Sequence, residues 1–170
     1  MIKQVQTSDF PRIAEVIRAS FITVAAQLNL TEQNSPRFTP FTISEERLQN
    51  HFNRGWGMYG LYEGGQIIGY AAVSKENDNS YEIHNLAVLP EHRHKGHGRR
   101  LLDFCKEKVK EAGGVKIILG IIEENSVLKD WYTENGFIHT GTKKFSFFPF
   151  TCGYMEYKMS VTHHSIKNTE

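Results

Sequence analysis

Apolar positions along the chain recur with two periods, near 2 and near 3.6, and the switches between them divide the sequence into elements. Residues 2–7 alternate and predict a short strand. Ser8 or Asp9 is placed to cap the helix that follows, with Pro11 just inside its start. Ile13, Val16, Ile17, Phe21 and Val24 recur there at helical spacing. Residues 29–42 carry Asn34, Ser35, Pro36 and Pro40 and predict a long loop. Ser44 heads a second, short helix, although Arg47 stands where a capping box has Glu or Gln. Residues 56–62 and 66–73 predict strands joined at Glu63-Gly64-Gly65, a hairpin signal. A further strand spans 81–89 and stops at Pro90. Residues 98–112 place Leu101, Leu102, Cys105 and Val109 on one helical face, ended by Gly113-Gly114. Residues 115–122 are almost wholly apolar, the pattern of a strand covered on both faces. A helix at 126–135 and strands at 137–148 and 151–161 complete the order β-α-α-β-β-β-α-β-α-β-β. Alternation of strand and helix in the second half predicts a mixed α/β sheet.

Composition narrows the function classes. The chain has 170 residues, 39% hydrophobic and 23% charged, which fits one domain with one sizeable core, at 1–161, and a polar tail at 162–170. A net charge of +1 gives no global attraction to nucleic acid. No apolar run approaches the roughly 18–20 residues of a membrane span, and the first ten residues do not form a signal peptide. Cys105 and Cys152 form no C-x-x-C pair. A soluble, cytoplasmic protein is expected.

The most informative segment runs from Leu86-Ala87-Val88 through Arg93-His94-Lys95-Gly96-His97-Gly98 into Arg99-Arg100-Leu101. A strand enters a loop with R-x-x-G-x-G spacing, and a helix opens behind it. Two glycines let the backbone turn its N–H groups inward, and the helix start adds unpaired donors and a positive dipole end. Such a loop binds phosphate. A dinucleotide fingerprint needs a third glycine where Leu101 stands, and a Walker A loop needs Gly-Lys-Ser/Thr, which is absent. The plainer alternative is a tight turn on a solvated basic face.

These residues resemble the Q/R-x-x-G-x-G/A signature of the GNAT superfamily of N-acetyltransferases. A second block, Asn125-Ser126-Val127-Leu128 through Tyr132 to Gly136-Phe137, resembles that family's N-x-x-(A/V)-x-x-x-Y-x-x-x-G-F pattern. The element order is also the family's, so the resemblance covers nearly the whole chain. It implies a mixed, mostly antiparallel sheet of six to seven strands, flanked by about four helices, with a splay between strands four and five. It implies transfer of an acetyl group from acetyl-CoA to a primary amine, by direct attack in a ternary complex. The alternative is a non-catalytic acyl-CoA-binding sensor or regulatory module.

The resemblance also implies residue roles. Backbone amides of His94, Lys95, Gly96, His97 and Gly98 would hold the pyrophosphate, and Arg93, Lys95, Arg99 and Arg100 add charge around it. The main chain at Leu86, Ala87 and Val88 would pair with the pantetheine arm, although Leu86 and Val88 also suit plain sheet core. Asn125 would bond the pantetheine or cap its helix. Tyr132 aligns with the general acid; helical spacing alone would make it a packing residue. Glu82 resembles the family's base, and His84, with a reference pKa of about 6.5, is a second candidate. By period two, Glu82, His84, Leu86 and Val88 share one strand face. His92, His94 and His97 fit no zinc spacing, so no metal is expected. Acceptor choice falls to residues 21–52 and 143–154, which hold Phe38, Phe41, Phe52, Phe145, Phe147, Phe148, Phe150 and Tyr154. Those aromatics suit an apolar pocket, a pair interface or one end of the core. The expected partners are acetyl-CoA and an amine, with no nucleic acid and no membrane, and the resemblance allows a homodimer.

Overall fold

A computed structural model describes residues 1–160; the expected tail, 162–170, lies outside the described residues. The chain opens with β1, Ile2–Gln4, and a single 3₁₀ turn, Thr7–Asp9, that leads into α1, Phe10–Gln27. Asp9 Oδ2 accepts from the Gln6 amide at 2.9 Å, and Pro11 sits in the first turn of α1, where a missing N–H costs nothing. The predicted loop at 29–42 contains one helical turn, α2, Thr39–Thr42, with Pro40 at its start. In α3, Glu45–Asn53, the Ser44 hydroxyl accepts from the Arg47 amide, so the N-cap forms without its reciprocal partner.

β2, Gly57–Glu63, and β3, Gln66–Lys75, form the expected hairpin, and Gly64 and Gly65 take positive φ in its turn. β4, Ser80–Val88, follows, then a 3₁₀ turn, Pro90–His92, and α4, His97–Glu111. The remaining elements are β5, Lys116–Ile122; α5, Ser126–Glu134; β6, Ile138–Lys144; and β7, Thr151–Lys158.

The seven strands form one sheet in the order β1-β2-β3-β4-β5-β7-β6. Every neighbouring pair is antiparallel except β4 and β5. The expected mixed sheet is therefore present, with five helices among the described residues; the single turn of α2 is the addition.

The strand covered on both faces is β3, not β5. Eight successive positions from Ile67 to Ser74 are buried, because α1 and α4 both pack on β3 and β4. Gly69 lies where α4 comes closest: a Cβ there would meet Leu101 Cδ1 at 3.0 Å and the Ala87 carbonyl at 3.1 Å. In β5, Ile118 is half-buried and Gly120 exposed, because this strand borders an opening in the sheet. One core unites the inner faces of α1, α4 and the central strands. A smaller cluster of Ala25, Leu30, Phe38, Ile122 and Phe150 closes one end.

Candidate active site

The opening arises where β4 and β5 part. They pair only at Ser80↔Lys116, Tyr81↔Ile117 and Glu82↔Ile118. Beyond Glu82, β4 has no partner on its β5 side among the described residues, while β5 continues paired to β7 as far as Ile122↔Cys152. A cleft of about 330 Å³ fills the gap, between residues 83–86 of β4 and 119–122 of β5.

β4 is also bulged at this point. Tyr70 opposes Ala87 and Ala72 opposes His84, so Asn85 and Leu86 together face Ala71. Asn85 takes φ +51°, a left-handed conformation that Asn tolerates better than most residues. The bulge interrupts the alternation expected to put Glu82, His84, Leu86 and Val88 on one face. Glu82, His84 and Leu86 line the cleft, whereas Ala87 and Val88 are buried in the core.

Glu82 and His84 make the polar wall. Burial, reinforced by the nearby Glu76 carboxylate, raises the Glu82 pKa to about 6. The His84 ring stacks on Trp56 at 4.2 Å, and Trp56 stacks in turn on His51 at 3.9 Å. Burial dominates at His84 and lowers its pKa to about 4, against an opposing pull from Glu76. Its ring is thus neutral at pH 7, and the 3.8 Å approach of Nδ1 to Glu82 is not an ion pair there. The Ser74 hydroxyl donates to Glu76 Oε1 at 2.7 Å and sits 2.7 Å from His84 Nε2. Ser74 has one proton to give, so Nε2–H donates to it and the Nδ1 lone pair turns toward Glu82. Two acceptors thus face each other across 3.8 Å, an arrangement that suits a proton donor between them. Neither Ser74, Glu76 nor Trp56 stands out in the sequence, because strand pairing of Ser74 with Glu82 and of Ala72 with His84 brings them together.

Tyr132, on α5, reaches the cleft from the opposite side. Its ring packs edge-on against Trp131 and Phe137, with centroids 4.9 and 5.4 Å away. Its hydroxyl has no hydrogen-bond partner among the described residues, and burial raises its pKa, so the phenol keeps its proton at neutral pH. Asn125 lines the same cleft and caps α5, its Oδ1 accepting from the Leu128 amide at 3.2 Å. The aromatics of the two variable regions divide. Phe21, Phe38, Phe148, Phe150 and Tyr154 line the cleft, whereas Phe52 packs edge-on against Phe10 at 6.0 Å. Phe145 and Phe147 stay in the loop before β7, with rings 5.2 Å apart.

The glycine loop leaves β4 and enters α4. Gly96 is the N-cap, at φ +78°, and His94 is at φ +60°, both left-handed. The amides of residues 94–99 find no acceptor among the described residues; the first amide satisfied within α4 is that of Arg100, bonded to the Gly96 carbonyl at 3.0 Å. No side chain caps this helix, and no acidic residue occupies its first turn. A row of free donors at a positive helix end is a site for an anion such as a diphosphate. Gly98 stands over Trp131, where a Cβ would lie 3.5 Å from the indole.

Arg93 does not aim its charge into that row. Its guanidinium donates to the Val88 carbonyl (3.2 Å), Thr23 Oγ1 (3.0 Å), the Ser20 carbonyl (2.9 Å) and Ser20 Oγ (3.1 Å). It ties the loop to α1 and to the end of β4. Lys95 and Arg99 are exposed; Lys95 Nζ donates to the Glu91 carbonyl, and Arg99 lies 3.8 Å from Asp103.

The acetyltransferase (GNAT) family model matches residues 27–137. An uncharacterised N-acetyltransferase of Lactobacillus delbrueckii subsp. lactis is 29% identical over 143 residues, covering 79% of this chain and 82% of that protein. The N-alpha-acetyltransferase RimI of Mycobacterium tuberculosis is 31% identical over 88 residues, half of this chain and 54% of that protein. Among solved structures, the PaiA N-acetyltransferase of Thermoplasma acidophilum, in complex with coenzyme A, superposes with a TM-score of 0.82 at 24% identity, over 94% of this chain and 98% of that one.

Arg93→Ala removes the brace and leaves carbonyl and hydroxyl acceptors unpaired. Urea unfolding of the variant is expected to show a loss of about 2–4 kcal/mol in stability. A midpoint unchanged from wild type would contradict the bracing role.

Proposed function

The chain belongs to the acetyltransferase (GNAT) family, and from that premise we propose that it transfers an acetyl group from acetyl-CoA to a primary amine, by direct attack in a ternary complex. The observation that carries this proposal is the continuity of two features: a loop of unpaired amides, and a parted sheet that opens directly before it. The residues present fit the co-substrate. Free donors at residues 94–98 suit its diphosphate, and the unpaired edge of β4 suits the amide-bearing pantetheine arm.

Acetyl-CoA supplies a thioester whose carbonyl carbon is the electrophile. The amides of His94, Lys95, Gly96, His97 and Gly98 grip the diphosphate. The main chain at the bulge, around Leu86 and Ala87, offers N–H donors toward the developing oxyanion, an effect worth a factor of about a hundred or more. Asn125 stands at the cleft wall beside the arm.

Glu82 is the base. It and His84 Nδ1 both accept, but Glu82 holds a proton better, with a pKa of about 6 against about 4. The amine N–H sits between them, directly or through a water, and its proton ends on Glu82. The amine lone pair forms the new C–N bond, the C–S bond breaks, and Tyr132 gives its proton to the departing thiolate. The apolar and aromatic walls of Phe21, Phe38 and Phe148 exclude water from this exchange.

Release of thiol from acetyl-CoA in the presence of primary amines tests the reaction directly; a coenzyme sensor would release none. Because Glu82 works only when ionised, the rate ratio of wild type to Glu82→Gln should grow as pH climbs through about 6 and level off above it. A ratio constant across pH would remove Glu82 as base. Tyr132→Phe should lower kcat by roughly tenfold to a hundredfold while coenzyme affinity changes by less than about threefold. Wild-type turnover in that variant would exclude the phenol as acid.

A further inference from the structure

Away from the cleft, three side chains converge beside the glycine loop: Glu63 at the end of β2, His92 at the end of the 3₁₀ turn after β4, and His97 at the first position of α4. We propose that Glu63, His92 and His97 form a binding site for a divalent metal ion of the zinc class.

The geometry is close to what such an ion needs. His92 Nδ1 lies 3.1 Å from Glu63 Oε2, and His97 Nε2 lies 4.0 Å from Glu63 Oε1. The three donor atoms all lie within 4.8 Å of one another. Zinc bonds of about 2.0–2.1 Å in a tetrahedron set ligand atoms roughly 3.3 Å apart, so small rotations of the side chains close the site.

The two ring nitrogens also lack other employment. His92 Nδ1 is sealed from solvent and makes no hydrogen bond, since its approach to Glu63 is misaligned for one. The His97 side chain is only 9% exposed, and its Nε2 has no hydrogen-bond partner among the described residues. His92 Nδ1 is thus a buried polar atom without a partner, which is uncommon in folded proteins and calls for an explanation. A shared cation between two imidazoles and a carboxylate satisfies both nitrogens at once.

The donor set fits the chemistry. Two imidazoles and one carboxylate are a common zinc ligand set with one position left for water. Glu63 keeps 56% of its side chain exposed, so solvent reaches that fourth position. His97 Nδ1 lies 3.4 Å from Arg100 Nη1. A metal on Nε2 leaves the ring proton on Nδ1, so the exposed Arg100 turns outward on binding. The spacing of His92 and His97 gives no zinc pattern because the third ligand comes from the β2–β3 hairpin, far upstream in the chain. An ion here would fasten the β2–β3 turn to the start of α4.

Equilibrium dialysis of the untagged full chain against Zn²⁺ tests the site. Wild type should retain one ion per chain, with a zinc-dependent rise in melting temperature. Glu63→Gln and His92→Asn should each weaken binding by at least about tenfold and abolish that rise. Glu76→Gln, in the other carboxylate–histidine cluster, and His163→Ala with His164→Ala should leave it unchanged. Glu63 is exposed, so Glu63→Gln tests the site without disturbing the core. Absence of bound zinc in wild type, or retention that survives both Glu63→Gln and His92→Asn, would overturn the proposal.

Discussion

Hydrogen-bonding groups of a buried backbone have to be paired, and beyond Glu82 and Ile118 the two central strands stop pairing with each other. The unpaired edge of β4 and the bulge at Asn85 lie just before the acceptor-free amides of residues 94–99, with the bonded amides of Leu89, His92 and Arg93 between them. A fold keeps such unmet groups only where something else meets the need. β3, buried on both faces, and Arg93, fastened to α1, hold the open edge in place so that it does not collapse.

The same burial that stabilises the cleft walls sets their proton chemistry. Desolvation moves Glu82 up and His84 down, so two groups side by side divide into a base near neutrality and a neutral lone-pair donor. The Ser74–Glu76 pair fixes which His84 nitrogen faces the cleft. Tyr132, pushed up by its own burial, remains a proton donor across the gap. Removal from water is the largest cause of each of these three shifts.

Much of this was legible in the sequence. Periodicity located every main strand and helix, and Gly96 marked the left-handed turn that opens α4. What periodicity could not show is anything that depends on register. The apolar run at 115–122 looked buried on both faces, but neighbouring β4 turns away from it, and β3 took that role instead. Alternation along β4 failed at Asn85, because a bulge adds a residue without changing composition. Arg93 read as charge for a ligand, yet Ser20 and Thr23, far upstream, claim its guanidinium. Ser74, Glu76 and Trp56 join the site only through cross-strand pairing and ring stacking. Glu63, at the β2–β3 turn, meets His92 and His97 only because that turn packs beside the start of α4.

The account turns on unmet amides between His94 and Gly98. Calorimetric titration of coenzyme A into the folded wild-type chain and into Gly96→Asp tests it most directly. At φ +78°, Asp would strain the turn and place a carboxylate among donors meant for an anion. The account predicts binding to wild type and a loss of at least about a hundredfold in the variant. Equal affinity in a variant that keeps its melting temperature would contradict it.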